Sequence, residues 1–251
     1  MNEWSSEVTA RPNLIAAYLT RVICCQRQIQ PGFLTPGEPH GRDGKMAKVK
    51  TAKPYHHGEL RETLIVAGRK LMEEKGIRGF TLRECARRAE VSHAAPAHHF
   101  ASIDALLAEI ATRGYGELAA AMAAEARRSN GTTAGRLVSQ GVGYMAFAAA
   151  NPVLFQLMFS LEANQFETPA LAAAAKAAYH LHREAVEAVI PDASGDVKER
   201  MVDFAWASVH GFITLVLEGQ IGEKDSPRAL KARGLAVLSV MVETVVRAGG
   251  G

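Results

Sequence analysis

The chain has 251 residues, 48% of them hydrophobic, and a formal net charge of +3, enough apolar material for one large domain or two smaller ones with real cores. No run reaches the roughly 18 apolar residues of a membrane span, and no basic n-region marks a secretory leader. The three cysteines, Cys24, Cys25 and Cys85, make neither a disulfide framework nor a metal-ligand spacing, so a cytoplasmic protein is expected. Charge is unevenly placed: Lys45 to Phe100 carries 12 Lys/Arg against 6 Asp/Glu, residues 101–251 carry 13 against 16, and residues 1–44 carry 4 against 4. A basic first third on an acidic body suits a protein that meets a polyanion at one end.

Residues 1–45 read as an extension. The run PGFLTPGEPHGRDGK is punctuated by proline and glycine and has no apolar period. Two origins stand open: native synthesis starting at Met46, or a true extension with a short helix near Ile15–Ile23. A lysine-spaced arm follows, with Lys48, Lys50 and Lys53. From Glu59 the period is helical, with Leu60, Leu64, Ala67, Leu71 and Met72 on one stripe and Gly76 placed to stop it. Thr81-Leu82-Arg83-Glu84 is a capping-box pattern, in which the threonine oxygen accepts an N3 amide and the glutamate reaches back. It starts a helix at Thr81 that runs through Ala89. Ser92 is placed to cap a short helix, His93 to His99, and Ser102 a long one, Ile103 to about Arg128. Further helices are expected at about 132–150, 152–160, 168–190, 197–219 and 226–248, separated by Asn151-Pro152, Thr168-Pro169, Pro191-Asp192 and Ser226-Pro227. The fold class is all-α. Two short helices joined by a tight turn are the geometry of a helix-turn-helix.

The stretch VSHAAPAHHF, residues 91–100, admits three readings: a metal site, an idle loop, or a short helix lying against something. Adjacent His98 and His99 point about 100° apart on a helix and cannot share an ion, and no Cys, Asp or Glu stands at ligand spacing. As a helix it turns Pro96 and Phe100 inward and presents His93, Ala94, Ala97 and His98, a slim face that lets backbone approach a groove closely. No metal, cofactor or catalytic residue is expected: G-x-S-x-G, G-x-G-x-x-G and the P-loop are all missing from the sequence. Cys85 shares the stripe of Leu82 and Ala86 and reads as a packed core thiol.

GFTLRECARRAEVSHAAPAHHFASIDALLAEI resembles the DNA-binding domain of the TetR/AcrR family of transcriptional regulators. The likeness rests on the Thr-opened helix with an inward alanine, the turn ending in Val-Ser, the short helix ending in His-Phe and the Ser-capped helix with Leu-Leu. It runs through residues 56–115. Downstream, YMAFAAANPVLFQLMF and WASVHG are similar to the C-terminal domain of one subfamily marked by Trp, His and Gly, here Trp206, His210 and Gly211. The resemblance implies a helix-turn-helix domain at 46–102, a connecting helix at 103–128, and a ligand-binding and dimerisation domain at 129–251.

It further implies that His56, His57 and Thr81 hold phosphates, that Arg83 reaches a base, and that Ser92, His93, Ala94, Ala97, His98 and His99 complete the reading surface, with the lysine arm along the backbone or minor groove. Two departures stand out. The family usually has tyrosine where Ala97 stands and lysine where Ile103 stands, and both normally help hold phosphate. The implied partners are double-stranded DNA, a second copy of the chain through helices 197–219 and 226–248, and an unknown small-molecule inducer, with no membrane. Pocket candidates are Tyr144, Phe147, Phe155, Met158, Phe159, Trp206 and His210. The function expected is a sequence-specific DNA-binding regulator, a repressor released from a palindromic operator by a small ligand. The alternative is an all-α small-molecule-binding protein or enzyme whose basic end is merely solvated.

Overall fold

The structure, a computed structural model, describes residues 57–129, 131–159, 168–222 and 225–250, apart from the side chains of His57, Gly58 and Arg78. The extension at 1–45, the lysine arm and His56 lie outside the described residues. Those residues form eight α-helices and no strand: α1 (His57–Lys75), α2 (Leu82–Arg88), α3 (Ile103–Arg127), α4 (Thr133–Ala150), α5 (Pro152–Phe159), α6 (Pro169–Glu187), α7 (Gly195–Leu217) and α8 (Pro227–Gly249). Their ends follow from local chemistry. Thr81, Ser102, Thr132, Thr168, Ser194 and Ser226 each accept a hydrogen bond from the third amide of the helix they open, satisfying a donor with no intrahelical partner. Gly76, at φ 72, closes α1, its amide donating to Met72 O at 2.8 Å.

α1 buries Leu64, Leu71 and Met72 against Phe80, Cys85 and Phe100, with Leu106 and Ile110 of α3 completing this first core. Arg61 fixes the arrangement from its edge. Its guanidinium lies 5.2 Å from the Phe100 ring centroid and donates to Glu109 of α3 at 2.8 Å. Cys85 is fully buried, its Sγ donating to Leu64 O at 3.3 Å, and burial pushes the thiol up to about 11. It is a packing residue.

α3 is the spine. It packs on α1 near its start and on α4, α5 and α6 further along. The closest approach is to α4, where Gly143 lets the backbones meet: a Cβ there would stand 2.6 Å from Ala121 O. α4 and α5 are broken at Asn151 and set 106° apart. The corner is tied to the first core by Arg69, which donates to Asn151 Oδ1 at 2.7 Å, to Glu117 of α3 at 2.6 Å and to Glu73 of α1 at 3.3 Å. One guanidinium therefore joins three parts of the molecule.

By length and composition α7 is apolar enough to cross a membrane, a test that core helices also pass, although polar residues interrupt its apolar run. Its packing on α8, α6 and α4 accounts for one side. The other side is bare: Phe204 is 37% and Leu215 43% exposed, with Gly211 between them on the same stripe. On α8, Leu235, Val240 and Val246 are also exposed.

Candidate functional site

Two places concentrate chemistry. The first is the turn between α2 and α3. Thr81 is an N-cap, its Oγ1 accepting Glu84 N at 3.2 Å, but the reciprocal half of the expected capping box is not formed. The Glu84 carboxylate is instead gripped by Arg87, through Nε at 2.9 Å and Nη2 at 2.7 Å, and by Lys75 at 3.0 Å. Those hydrogen bonds, Arg87's first, pull its carboxyl down to about 2. Arg88 is paired with Glu74. Three of the basic residues counted along the sequence, Lys75, Arg87 and Arg88, are thus committed to acids within the domain. Arg83 differs: it is exposed and makes no hydrogen bond or ion pair among the described residues.

α2 ends in a Schellman motif. Glu90 N donates to Arg87 O at 3.2 Å and Val91 N to Ala86 O at 3.0 Å, with Glu90 left-handed at φ 55. The expected helix from His93 to His99 is shorter than the sequence suggests. It is a single 3-10 turn, Ala95–His98, with Ala94 and not Ser92 at its N-cap. Pro96 is the cause: lacking an amide hydrogen, it cannot form the α-type bond to Ser92 O, and that oxygen takes Ala95 N at 3.0 Å. The faces still fall as the period requires. Pro96 and Phe100 are buried, Ser92, His93, Ala94, Ala97 and His98 are exposed, and His99 is half-buried. Only the backbone of His57 is described, at the first turn of α1. Ile103, which departs from the lysine usual in the family it resembles, opens α3 and packs partly buried on the first core.

The second place is a cavity of about 130 Å³ among α3, α4, α5, α6 and α7. Of the pocket candidates, Tyr144, Phe159 and Trp206 line it. Phe147 and Met158 do not: both are core residues, Met158 filling the space over Gly114. Phe155 and His210 stand one layer back, with Phe155 4.8 Å and His210 4.7 Å from the Phe159 centroid. Tyr144 Oη and His210 Nδ1 share one hydrogen across 2.7 Å. Burial holds the Tyr144 hydroxyl above, and the His210 imidazole below, their usual ranges, so both are neutral. The rest of the lining comes from residues not singled out in sequence: Tyr115, Leu118 and Met122 of α3, Tyr179 and His182 of α6, and Val209. A signal existed in Tyr179 and His182, which sit three apart on α6 and meet α7 at Trp206, 5.3 Å from Tyr179 between centroids.

Two family models match the chain. One, described as bacterial regulatory proteins of the tetR family, covers residues 64–110, and the other, the tetracyclin repressor-like C-terminal domain, covers residues 137–238. Comparison with curated proteins found no match. Among solved structures, a protein of unknown function from Rhodococcus sp. RHA1 is 29% identical with a TM-score of 0.65, over 78% of this chain and 98% of that one. A transcriptional regulator from Rhodococcus sp. RHA1 is 21% identical with a TM-score of 0.57, over 74% and 96%. The TetR family regulator PfmR of Thermus thermophilus shares the fold at 16% identity and a TM-score of 0.52, over 72% and 97%. The matched segments carry the two places just described, the helix-turn-helix and much of the cavity wall, and the chain belongs to the TetR family of DNA-binding transcriptional regulators.

Proposed function

We propose that the protein is a cytoplasmic homodimeric repressor that grips a palindromic operator and releases it when a small molecule enters the α3–α7 cavity. The observation that carries the proposal is the pairing of an exposed, uncommitted Arg83 with a slim exposed face at His93, Ala94, Ala97 and His98. Arginine in a major groove takes guanine bidentately, and small side chains let the turn sit deep. Thr81, at a helix N-terminus, His57, Ser92 and His99 suit phosphate contacts. The dimer reading is supported by the bare stripe Phe204–Gly211–Leu215 on α7 and by exposed Leu235 and Val246 on α8. In the protomer, a Cβ at Gly211 would meet nothing within 4 Å. That openness suits the close approach of a second helix.

The test is selection of bound duplexes from a random pool at about 0.15 M salt, followed by a shift assay on the selected site with Arg83→Ala. A palindrome is expected, with affinity falling steeply as salt rises. The substitution is expected to weaken binding by about 1–3 kcal/mol at unchanged circular dichroism. Unchanged affinity would remove Arg83 from the reading surface. Weak binding that is flat in salt would favour an all-α binding protein or enzyme without specific DNA recognition.

A further inference from the structure

The polar chemistry of the cavity converges on His182. Its Nε2 lies 3.1 Å from Val202 O, and a carbonyl can only accept, so Nε2 carries the hydrogen. Burial lowers its basicity, which leaves a neutral ring whose other nitrogen, Nδ1, is a lone-pair acceptor. That nitrogen has no hydrogen-bond partner among the described residues, although the residue is only 9% exposed and lines the cavity. Most of the other polar groups are engaged. Tyr115 donates to Met158 O at 2.8 Å, Tyr144 shares its hydrogen with His210 and is also hydrogen-bonded by the Trp206 side chain, and Tyr179 accepts from Arg183 at 3.1 Å, its own hydroxyl hydrogen alone being left without an acceptor among the described residues. Polar atoms inside a protein are nearly always satisfied, so an acceptor left over on a residue that lines an apolar hollow is a place for a donor from outside.

Size and charge narrow the donor's owner. A cavity near 150 Å³ holds one benzene ring, and this one is about 130 Å³. No Asp, Glu, Lys or Arg is among its described lining residues. An anion would shed its water with no opposing charge, which costs several kcal/mol. The aromatic walls favour a flat ring set against their edges and faces.

We propose that the cavity selects neutral single-ring aromatic molecules carrying one hydrogen-bond donor, seated with that donor on His182 Nδ1. This rests on the cavity being the effector site, and the experiment separates the two ideas. The full-length chain contains two tryptophans, Trp4 and Trp206, so Trp4→Phe leaves Trp206 emission as a reporter from the cavity wall. Phenol, toluene, benzoate and tetramethylammonium are titrated in turn. Phenol is expected to bind about tenfold more tightly than toluene, the worth of one hydrogen bond, and benzoate and tetramethylammonium more weakly than both. His182→Leu is expected to erase the phenol–toluene difference while toluene stays within about threefold of its original affinity.

Equal binding of phenol and toluene by the unmutated protein overturns the proposal, as does preference for benzoate or the cation, or no saturable binding of any. Those comparisons stand even if the leucine variant fails to fold. Release of labelled operator is then followed by anisotropy. Phenol that binds in the expected order without releasing DNA leaves the ligand class standing and removes the repressor-release reading. Operator release by a ligand of another class, with phenol silent, does the reverse.

Discussion

Replacing Glu90 with glycine should stabilise the protein. Glu90 occupies the C′ position of the Schellman motif that ends α2, at φ 55, where an L side chain costs roughly 1–2 kcal/mol. Both motif hydrogen bonds are formed through the backbone, at 3.2 and 3.0 Å, so glycine keeps them. The side chain is exposed and no ion pair to it is found among the described residues, so removing it loses no packing. Against this stands the greater freedom of glycine in the unfolded chain, about 0.4–1 kcal/mol. The net gain is about 0.5–1 kcal/mol, or roughly 1–4 °C in Tm for a chain of this size. Calorimetry of Glu90→Gly alongside Glu90→Gln isolates the backbone contribution, since glutamine removes the charge but keeps the strained conformation. A glycine variant that melts with or below the glutamine variant would show that the left-handed turn is not strained here.

Gly143→Ala should destabilise by about 1–3 kcal/mol, because its Cβ would sit 2.6 Å from Ala121 O and 2.9 Å from Met122 Cα, backbone atoms that yield only if α3 and α4 part. Gly116→Ala on α3 meets nothing within 4 Å and should stabilise by about 0.5–1 kcal/mol through helix propensity; chemical denaturation of the pair would expose an error if both moved the same way. Thr214 Oγ1 is buried without a hydrogen-bond partner, so Thr214→Val should be neutral or stabilising by about 1 kcal/mol, and a clear loss in urea midpoint would mean the hydroxyl is satisfied. His182 and His210 are held neutral by burial. Above the ordinary histidine pKa of about 6.5 neither folded nor unfolded chain is protonated there and stability is flat. Below it the unfolded chain takes up protons that the folded chain does not, so stability should fall as pH drops from about 6.5. Urea midpoints that hold steady or rise between pH 6.5 and 5.5, with acidic groups controlled by His182→Gln, would contradict this.

Much of this architecture is legible in the sequence because the helices announce their own ends. Thr132, Thr168, Ser194 and Ser226 are caps in chain order, and prolines follow Asn151, Thr168 and Ser226 where helices begin. The faces of residues 91–100 are legible for the same local reason, since Pro96 and Phe100 stand four apart. Their helical type is not. One missing amide hydrogen at Pro96 turns a short α-helix into a 3-10 turn, a competition between two hydrogen-bond patterns that periodicity does not resolve. Glu84 shows a second limit. The capping-box pattern is local, but Lys75 reaches the carboxylate across an intervening turn, and an opposing charge outweighs a neutral amide. The cavity shows a third. Phe147 and Met158 have the same apolar character as Phe159, yet only the crossing of helices distant in sequence decides which faces a hollow. His182 needs Val202, twenty residues on, before one nitrogen is left over.

α3 also sets a mechanical scale. Near its start it carries Leu106 and Ile110 in the first core, and further along Leu118 and Met122 form part of the cavity wall. From Leu118 back to Ile103 is an arm of about 22 Å at 1.5 Å per residue. A tilt of about 5° at the cavity would move the far end of that arm by about 2 Å. In the proposed two-fold dimer the two arms would move together, and the gap between reading surfaces would change by up to about 4 Å against a groove spacing of roughly 34 Å. Duplex DNA does not stretch to follow. Under the proposed repressor mechanism, the length of one helix would convert the width of a single aromatic ring into a mismatch with the helical repeat of DNA.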